Sequence, residues 1–444
     1  MNQEFILIIV ALIISVASIV LLSRYLNLHA FFCLIIASLL LGTLTGKSVS
    51  DLIVVMQTGF GSLLQQIGFI VALGSCMGIV LEKTGAMESI SERLVYFFGQ
   101  RKSPFALTTI GLLVGIPVFC DSGFIILSRL IPSISASASI PSATLSLTLS
   151  SALYTTHTLV PPTPGPLAAA ANLGLSEHLG QVILINILAS IPVGLVALAF
   201  SKKMGSTISS TEKHIQVVER FVISPTKAVL PLVVPIILIG LATLPKSLGM
   251  TGIMSTLLIV AGQPFVALFI GLMLAFLLIQ PSQKKEWPRW LSEALKDAGV
   301  ILLITGAGGA FGNVIKNVGM DTHLKNFIVS NEAQGVVFLL FAYFIAAVLK
   351  SSQGSTTSSL IVTTSIIAPL AISAGFESPV QLCSLLIAVG GGGMTVSHAN
   401  DSYFWVVSQF GGIAARDMFR SYTLITFIQG ITALIMAVLL FLLW

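Results

Sequence analysis

Apolar runs of close to 20 residues recur from one end of the chain to the other, and they set the first limit on its fold. At about 1.5 Å per residue such a run crosses the ~30 Å hydrocarbon core of a bilayer as a helix. Full-length candidates lie at 4–22, 28–45, 63–82 and 179–200, and again at 226–245, 263–281, 298–316 and 420–443. Only 9% of the 444 residues are charged, against 55% hydrophobic, too few charges to clothe a water-soluble globule of this size. The chain reads as an all-α polytopic membrane protein. A disordered chain, a collagen and a disulfide-stapled secreted scaffold are excluded on the same grounds. The first run, Phe5 to Leu22, follows Glu4 instead of a basic segment and is too long for the core of a cleaved signal. It is expected to be the first spanning helix.

Segments that break this rule say more. Residues 104–136 form two arms around Cys120-Asp121-Ser122-Gly123. As a helix the first arm, 104–119, reaches only ~24 Å, and the second is shorter and rich in Ser and Ala. Neither spans comfortably, so a re-entrant hairpin is expected, its polar tip buried in protein or lining a cavity. Residues 335–370 repeat the plan, with an apolar arm, the tip Ser351-Ser352-Gln353-Gly354-Ser355-Thr356, and a Ser/Thr-rich arm ending near Pro369. Each hairpin precedes a helix expected to break. In 142–174 the interruption is Pro161-Pro162-Thr163-Pro164-Gly165-Pro166, whose prolines lack N–H donors and clash with the preceding turn. In 380–411 the run Gly390–Gly393 is expected to unwind the helix for entropic reasons, ahead of Ser397-His398-Ala399-Asn400-Asp401-Ser402.

Two copies of one plan result, residues 1–215 and 216–444, each with three spanning helices, a re-entrant hairpin, a broken helix and a final helix. A shift of 234 aligns Gly74 with Gly308, Gly78 with Gly312 and Gly85 with Gly319. Each copy crosses the bilayer five times, an odd number, so the repeats are expected to have inverted topology. Basic residues give the direction. With the N-terminus outside, Lys47, Lys246, Lys316 and Lys325 fall in outside segments, Arg129 and Lys350 in hairpins, and the other 16 of the 22 inside. That bias obeys the positive-inside rule and puts both termini outside.

Inverted hairpin tips and helix breaks meeting at the bilayer midplane are the binding site of a secondary transporter. Half-helix N-termini, with exposed N–H groups and about half a positive charge, attract anions there. The candidate binding residues are Asp121, Ser122 and Gly123 at the first tip and Gln353, Gly354, Ser355 and Thr356 at the second. Thr163 and Gly165 join them from the first break, and Ser397, Asn400 and Asp401 from the second. This hydroxyl- and amide-rich set suits a small polyhydroxy carboxylate. Ionisable groups inside a membrane are costly and default to functional candidates, so Asp121, His157, His398 and Asp401 are expected to carry a coupling proton. The bland alternative for both aspartates is helix capping.

Other chemistries find little support. The net charge of +5 is scattered over short connecting segments, so nucleic acid is not an expected partner. Cys33, Cys76, Cys120 and Cys383 sit in apolar runs without metal-ligand spacing, and no cofactor is expected. The run from Gly306 to Gly312 resembles a dinucleotide loop but lies in a spanning segment without βαβ context, where close helix packing explains it. Segments 86–100 and 283–297 alternate apolar and charged residues and are expected to be interfacial helices. A membrane-embedded enzyme would need a nucleophile-base spacing or a metal-ligand cluster, and neither is evident in the sequence.

At the residues that carry this plan, the chain resembles the gluconate permease (Gnt) family of the ion transporter superfamily. The matching stretches are Gly59-Phe60-Gly61 through Ile67-Gly68, then Gly78, Leu81-Glu82 and Gly85-Ala86; Gly115 to Phe124; the proline-rich break; and Ser397 to Ser402 with Phe404-Trp405. Thr163 stands where many members carry a histidine, and Cys120 and Ser122 replace a commoner aromatic and aliphatic pair. The resemblance implies proton-coupled uptake of gluconate or a related sugar acid across the bacterial inner membrane, often as a homodimer; the termini, outside by the count of basic residues, are then expected to be periplasmic. Alternatives within the class are a D-serine or other hydroxy-acid proton symporter and a sodium-coupled carboxylate transporter.

Overall fold

A computed structural model describes residues 3–26, 28–99, 102–208, 223–242, 245, 251–319, 334–399 and 401–444. The expected repeat boundary at 215/216 and the candidate Asn400 lie outside the described residues. Among those described, the regular structure is helical. The first half runs α1 (Gln3–Tyr25), α2 (Ala30–Leu44), α3 (Val49–Lys83), α4 (Ala86–Phe98), α5 (Ser103–Val114), α6 (Cys120–Leu127), α7 (Ile131–Ala138), α8 (Ser142–Leu159), α9 (Pro164–Asn172) and α10 (Leu179–Gly205). The second runs α11 (Pro225–Leu241), α12 (Ile253–Ala261), α13 (Pro264–Phe276), α14 (Trp287–Asn317), α15 (Val336–Gln353), α16 (Thr356–Ala371), α17 (Pro379–Met394), α18 (Ser402–Phe410), α19 (Ala415–Arg420) and α20 (Tyr422–Leu443). Five described helical segments are long and apolar enough to cross a membrane, and the α12–α13 pair, bent by 70°, adds a sixth.

The order of elements repeats, and so does the packing. α2 lies on α14 as α13 lies on α3, α5 on α8 as α15 on α17, and α10 on α8 as α20 on α17. The axis of the arrangement is the antiparallel pair α3 and α14. A Cβ on Gly59 would meet the Gly309 carbonyl and Asn313, and one on Gly309 would meet the Gly59 carbonyl at 2.5 Å. Paired glycines of this kind let two helix backbones touch where apolar side chains gain nothing by leaving lipid. Asn313 Nδ2 donates to the Val55 carbonyl at 2.8 Å across the same contact. The glycine-rich run in α14 is thus a packing surface.

Three elements depart from the sequence-based expectation. The first hairpin turns at 115–119, ahead of Cys120, which opens α6. Gly115 and Pro117 end the first arm, and Gly111 and Gly115 let α5 press onto α8 near Ala152 and the Leu153 carbonyl. Asp121, Ser122 and Gly123 therefore sit in the first turn of the return helix. Second, Gly390 to Gly393 do not unwind anything; all four are helical within α17. Each faces a different neighbour: Leu159 for Gly390, Gly430 for Gly391, Tyr343 for Gly392 and Leu360 for Gly393. Close packing on every side outweighs the entropic cost of glycine in a helix. Third, residues 287–297 continue into α14 as one helix, because no breaker separates them from the apolar run. Segment 86–98 does form its own amphipathic helix.

Candidate functional site

Four short helices begin at the hairpin tips and helix breaks, and their N-termini meet in two pairs. In the first pair, α9 starts after the first break and α16 returns from the second hairpin. A Cβ on Gly165 would lie 3.4 Å from Thr357 Cα. Lower down, Asn172 Nδ2 donates to Thr364 Oγ1 at 2.9 Å, Ser365 Oγ at 3.2 Å and the Ile361 carbonyl at 3.2 Å. The second pair has the reciprocal composition. α6 returns from the first hairpin and α18 starts after the second break, with Phe124 and Tyr403 edge to face at 6.2 Å. Each pair thus joins a hairpin of one half to a broken helix of the other.

The breaks are held open by bonds from neighbouring helices, as buried irregular backbone requires. At the end of α8 the Leu159 carbonyl accepts from Asn186 Nδ2 of α10 at 2.6 Å. Thr163 Oγ1 donates to the Val160 carbonyl at 2.5 Å, so this candidate closes its own turn. After α17, the Ser397 N–H donates to Thr426 Oγ1 at 3.1 Å and the Ser397 carbonyl accepts from Thr423 Oγ1 at 2.7 Å.

Between the two pairs of N-termini lies a charged cluster. Lys350, three residues before the end of α15, has a fully buried side chain, and that of Asp401 is 6% exposed. Lys350 Nζ donates to Asp401 Oδ2 at 2.7 Å and to the Gly354 carbonyl at 2.7 Å. Gly354 has φ 76°, the left-handed conformation that glycine adopts without strain, and it turns the chain from α15 into α16. Ser397 Oγ donates to Asp401 Oδ2 at 2.6 Å, and Asp401 Oδ1 accepts the Tyr403 N–H at 3.1 Å, capping α18. Asp401 therefore caps a helix and also pairs with a buried ammonium.

Tyr154, in the middle of α8, links both pairs. Its hydroxyl lies 2.8 Å from Thr356 Oγ1 and donates to the Gly393 carbonyl at 3.3 Å. Its ring stands 5.7 Å from that of Tyr403 and 5.8 Å from Lys350 Nζ, close enough for a cation–π attraction.

Some sequence candidates join this cluster and others stand beside it. Ser397, Gly354, Thr356 and Asp401 are in it. Ser355 caps α16, its Oγ accepting the Ser358 N–H at 3.2 Å. Asp121 lies within electrostatic reach of Asp401 and Lys350, and its Oδ1 is buried without a protein partner. Both amide atoms of Gln353 are likewise buried and unpartnered. Ser122 is half-buried beside Asp121. Gly123 is covered by Leu153, which a Cβ there would meet at 3.1 Å. His157 is buried on α8 with its ring 5.9 Å from Phe119, at the first tip, and its Nδ1 has no partner. The His398 carbonyl accepts the Asp401 N–H at 2.9 Å, within the second break. Sequence reasoning missed Lys350 and the tyrosines 154, 403 and 422, the last with its ring 6.5 Å from that of Tyr154 and 6.0 Å from that of Tyr403. The available signal was one lysine at a hairpin tip and three tyrosines within otherwise apolar or hydroxyl-rich runs. A separate small cavity of about 60 Å³ beside Pro117 and Pro162 is lined by apolar side chains that include Met77 of α3, Val229 of α11 and Leu268 of α13, and offers a polyhydroxy anion nothing to bind.

Comparison with known proteins shows the family and the fold. The profile of the GntP family permeases matches residues 6–443. The inner membrane permease YgbN of Escherichia coli K12 is 30% identical over 430 residues, covering 91% of this chain and 92% of that one. The gluconate permease of Bacillus licheniformis is 28% identical over 441 residues, 95% of this chain and 96% of that one. Among solved structures, MtrF of Neisseria gonorrhoeae, described with a class of antimetabolite efflux pumps, superposes with a TM-score of 0.66 over 96% of each chain at 14% identity. At that identity the likeness concerns the fold.

Proposed function

The chain belongs to the GntP family of permeases, and from that premise we propose that it imports gluconate or a related sugar acid across the bacterial inner membrane in symport with a proton. The substrate lies between the hairpin tips and the helix breaks. Its carboxylate faces the N–H groups of the paired helix N-termini, and its hydroxyls face Gln353, Ser355, Thr356 and Asp121.

One observation carries this reading. Asp121 Oδ1, within electrostatic reach of the Lys350–Asp401 pair, and both amide atoms of Gln353, three residues on from Lys350, are buried without protein partners. An unpaired buried polar atom costs about 1–3 kcal/mol, and a polyhydroxy ligand would supply the missing partners. Charge accounts for the coupling. Asp121, Asp401 and Lys350 together carry one net negative charge, and a sugar acid would bring a second into a low-dielectric site. A proton arriving with the substrate cancels that addition. Asp121 is the natural acceptor, since Asp401 is already engaged by Lys350, Ser397 and the Tyr403 N–H. Once protonated, Asp121 can donate to a substrate hydroxyl. The 16-to-4 bias of basic residues supports periplasmic termini and inverted halves, which would alternate the exposure of the site.

The test is uptake of radiolabelled gluconate into proteoliposomes with an inside-alkaline pH gradient and no sodium. Accumulation that collapses with a protonophore and is competed by other sugar acids is expected. A strict sodium requirement would overturn the coupling, and indifference to every sugar acid tried would overturn the substrate class.

A further inference from the structure

The symport reading counts the charge of Lys350 and gives its ammonium no role of its own. Its ammonium is fully buried and touches a carboxylate oxygen of Asp401, the Gly354 carbonyl and the face of Tyr154. Anionic and carbonyl oxygens are the ligands of hard metal cations, and an aromatic face adds attraction for a positive charge. The shell is built: φ 76° at Gly354 sets the turn that presents the carbonyl, and Ser397 with the Tyr403 N–H fixes the carboxylate. Shifted by 234, Lys350 falls on Ile116, so the first hairpin carries no matching ammonium.

We propose that Lys350 is a tethered cation, whose ammonium permanently fills a monovalent-cation site at the second hairpin tip and thereby excludes sodium from it. The inference rests on the reading of the tips as the transport site. It assigns Lys350 a specificity role: the second tip never loads an external ion, and the mobile positive charge is left to the first tip. An uncharged side chain at 350 would vacate the shell, and Asp401 and the Gly354 carbonyl would then take sodium.

Melting of the purified full-length protein is measured in sodium chloride and in choline chloride at equal ionic strength, without any sugar acid. Lys350→Met is expected to melt lower than wild type in choline, and to gain about 2 °C or more in sodium beyond any gain of the wild type. Lys350→Met combined with Asp401→Asn removes both charges and should respond to sodium no more than wild type does. Equal sodium shifts in Lys350→Met and wild type would overturn the proposal. So would a single variant that cannot be purified in sodium while the double variant can, because sodium would then have failed to replace the ammonium. Failure of both variants to fold would assign Lys350 a packing role and overturn it too. No substrate enters this measurement, so a failure to transport gluconate and a failure of the tethered cation are separate results.

Discussion

The Tyr154 hydroxyl lies 2.8 Å from Thr356 Oγ1, joining the central helix of the first half to the start of the second hairpin's return arm. The same ring faces Lys350 and Tyr403, so one side chain reports on both pairs of helix N-termini. Tyr154→Phe keeps the ring and removes the hydroxyl. The loss is expected to be about 1 kcal/mol, seen as a small drop in Tm, with a clear fall in uptake because Thr356 is no longer held. Tyr154→Ala also removes the ring from a fully buried site and is expected to cost about 3–5 kcal/mol. Equal melting and uptake for Tyr154→Phe and wild type would show that the link is idle.

The two aspartates should part company. Asp401→Asn leaves the Lys350 ammonium buried without its carboxylate, and breaking such a pair costs about 3–5 kcal/mol. Both Tm and transport are expected to fall. Asp121→Asn removes a carboxylate whose Oδ1 has no protein partner. Its Tm should stay close to wild type while proton-driven uptake is lost. Identical melting losses in the two variants would contradict the division of labour between them.

How much of this was legible in the sequence follows from what interrupts an apolar run. Proline, glycine and hydroxyl-bearing residues where ~20 apolar ones should continue mark the hairpins and breaks directly, since backbone without helical bonds needs other partners in lipid. The interruption shows that a chain turns, and its exact turning point depends on packing. Pro117 with Gly115 moved the first tip ahead of Cys120. The four glycines of α17 misled because their cost as helix residues is visible in sequence and their neighbours are not. Lys350 was hidden for a related reason. A single lysine at the end of an apolar arm looks like one that reaches out to the interface, and only the fold brings Asp401, 51 residues on, to within 2.7 Å of it.

Glycine packing gives its own prediction. A Cβ on Gly392 would meet the Tyr343 carbonyl and, at 2.7 Å, Ala346 Cβ. Gly392→Ala should force α17 away from α15 and cost about 1–3 kcal/mol. Gly61, on α3, has open space where its Cβ would go, and Gly61→Ala should be stabilising by about 0.5–1 kcal/mol through helix propensity alone. Thermal melts of the two variants in the same detergent check the opposite signs.

Gly165 and Thr357 are close enough for a Cβ on the first to lie 3.4 Å from the second's Cα, so cysteines at the two positions face each other across the contact. With the native cysteines replaced, Gly165→Cys combined with Thr357→Cys is expected to cross-link under mild oxidant and to shift the fragment pattern after protease cleavage. The Asn172 bonds tie α9 to α16 farther along the same contact, so the two helices should travel as one body when the site changes its exposure. Uptake by the oxidised protein is therefore expected to match that of the reduced one. Uptake that stops on oxidation and returns with reductant would show that the second hairpin slides past the first break during transport, and that the site opens between α9 and α16.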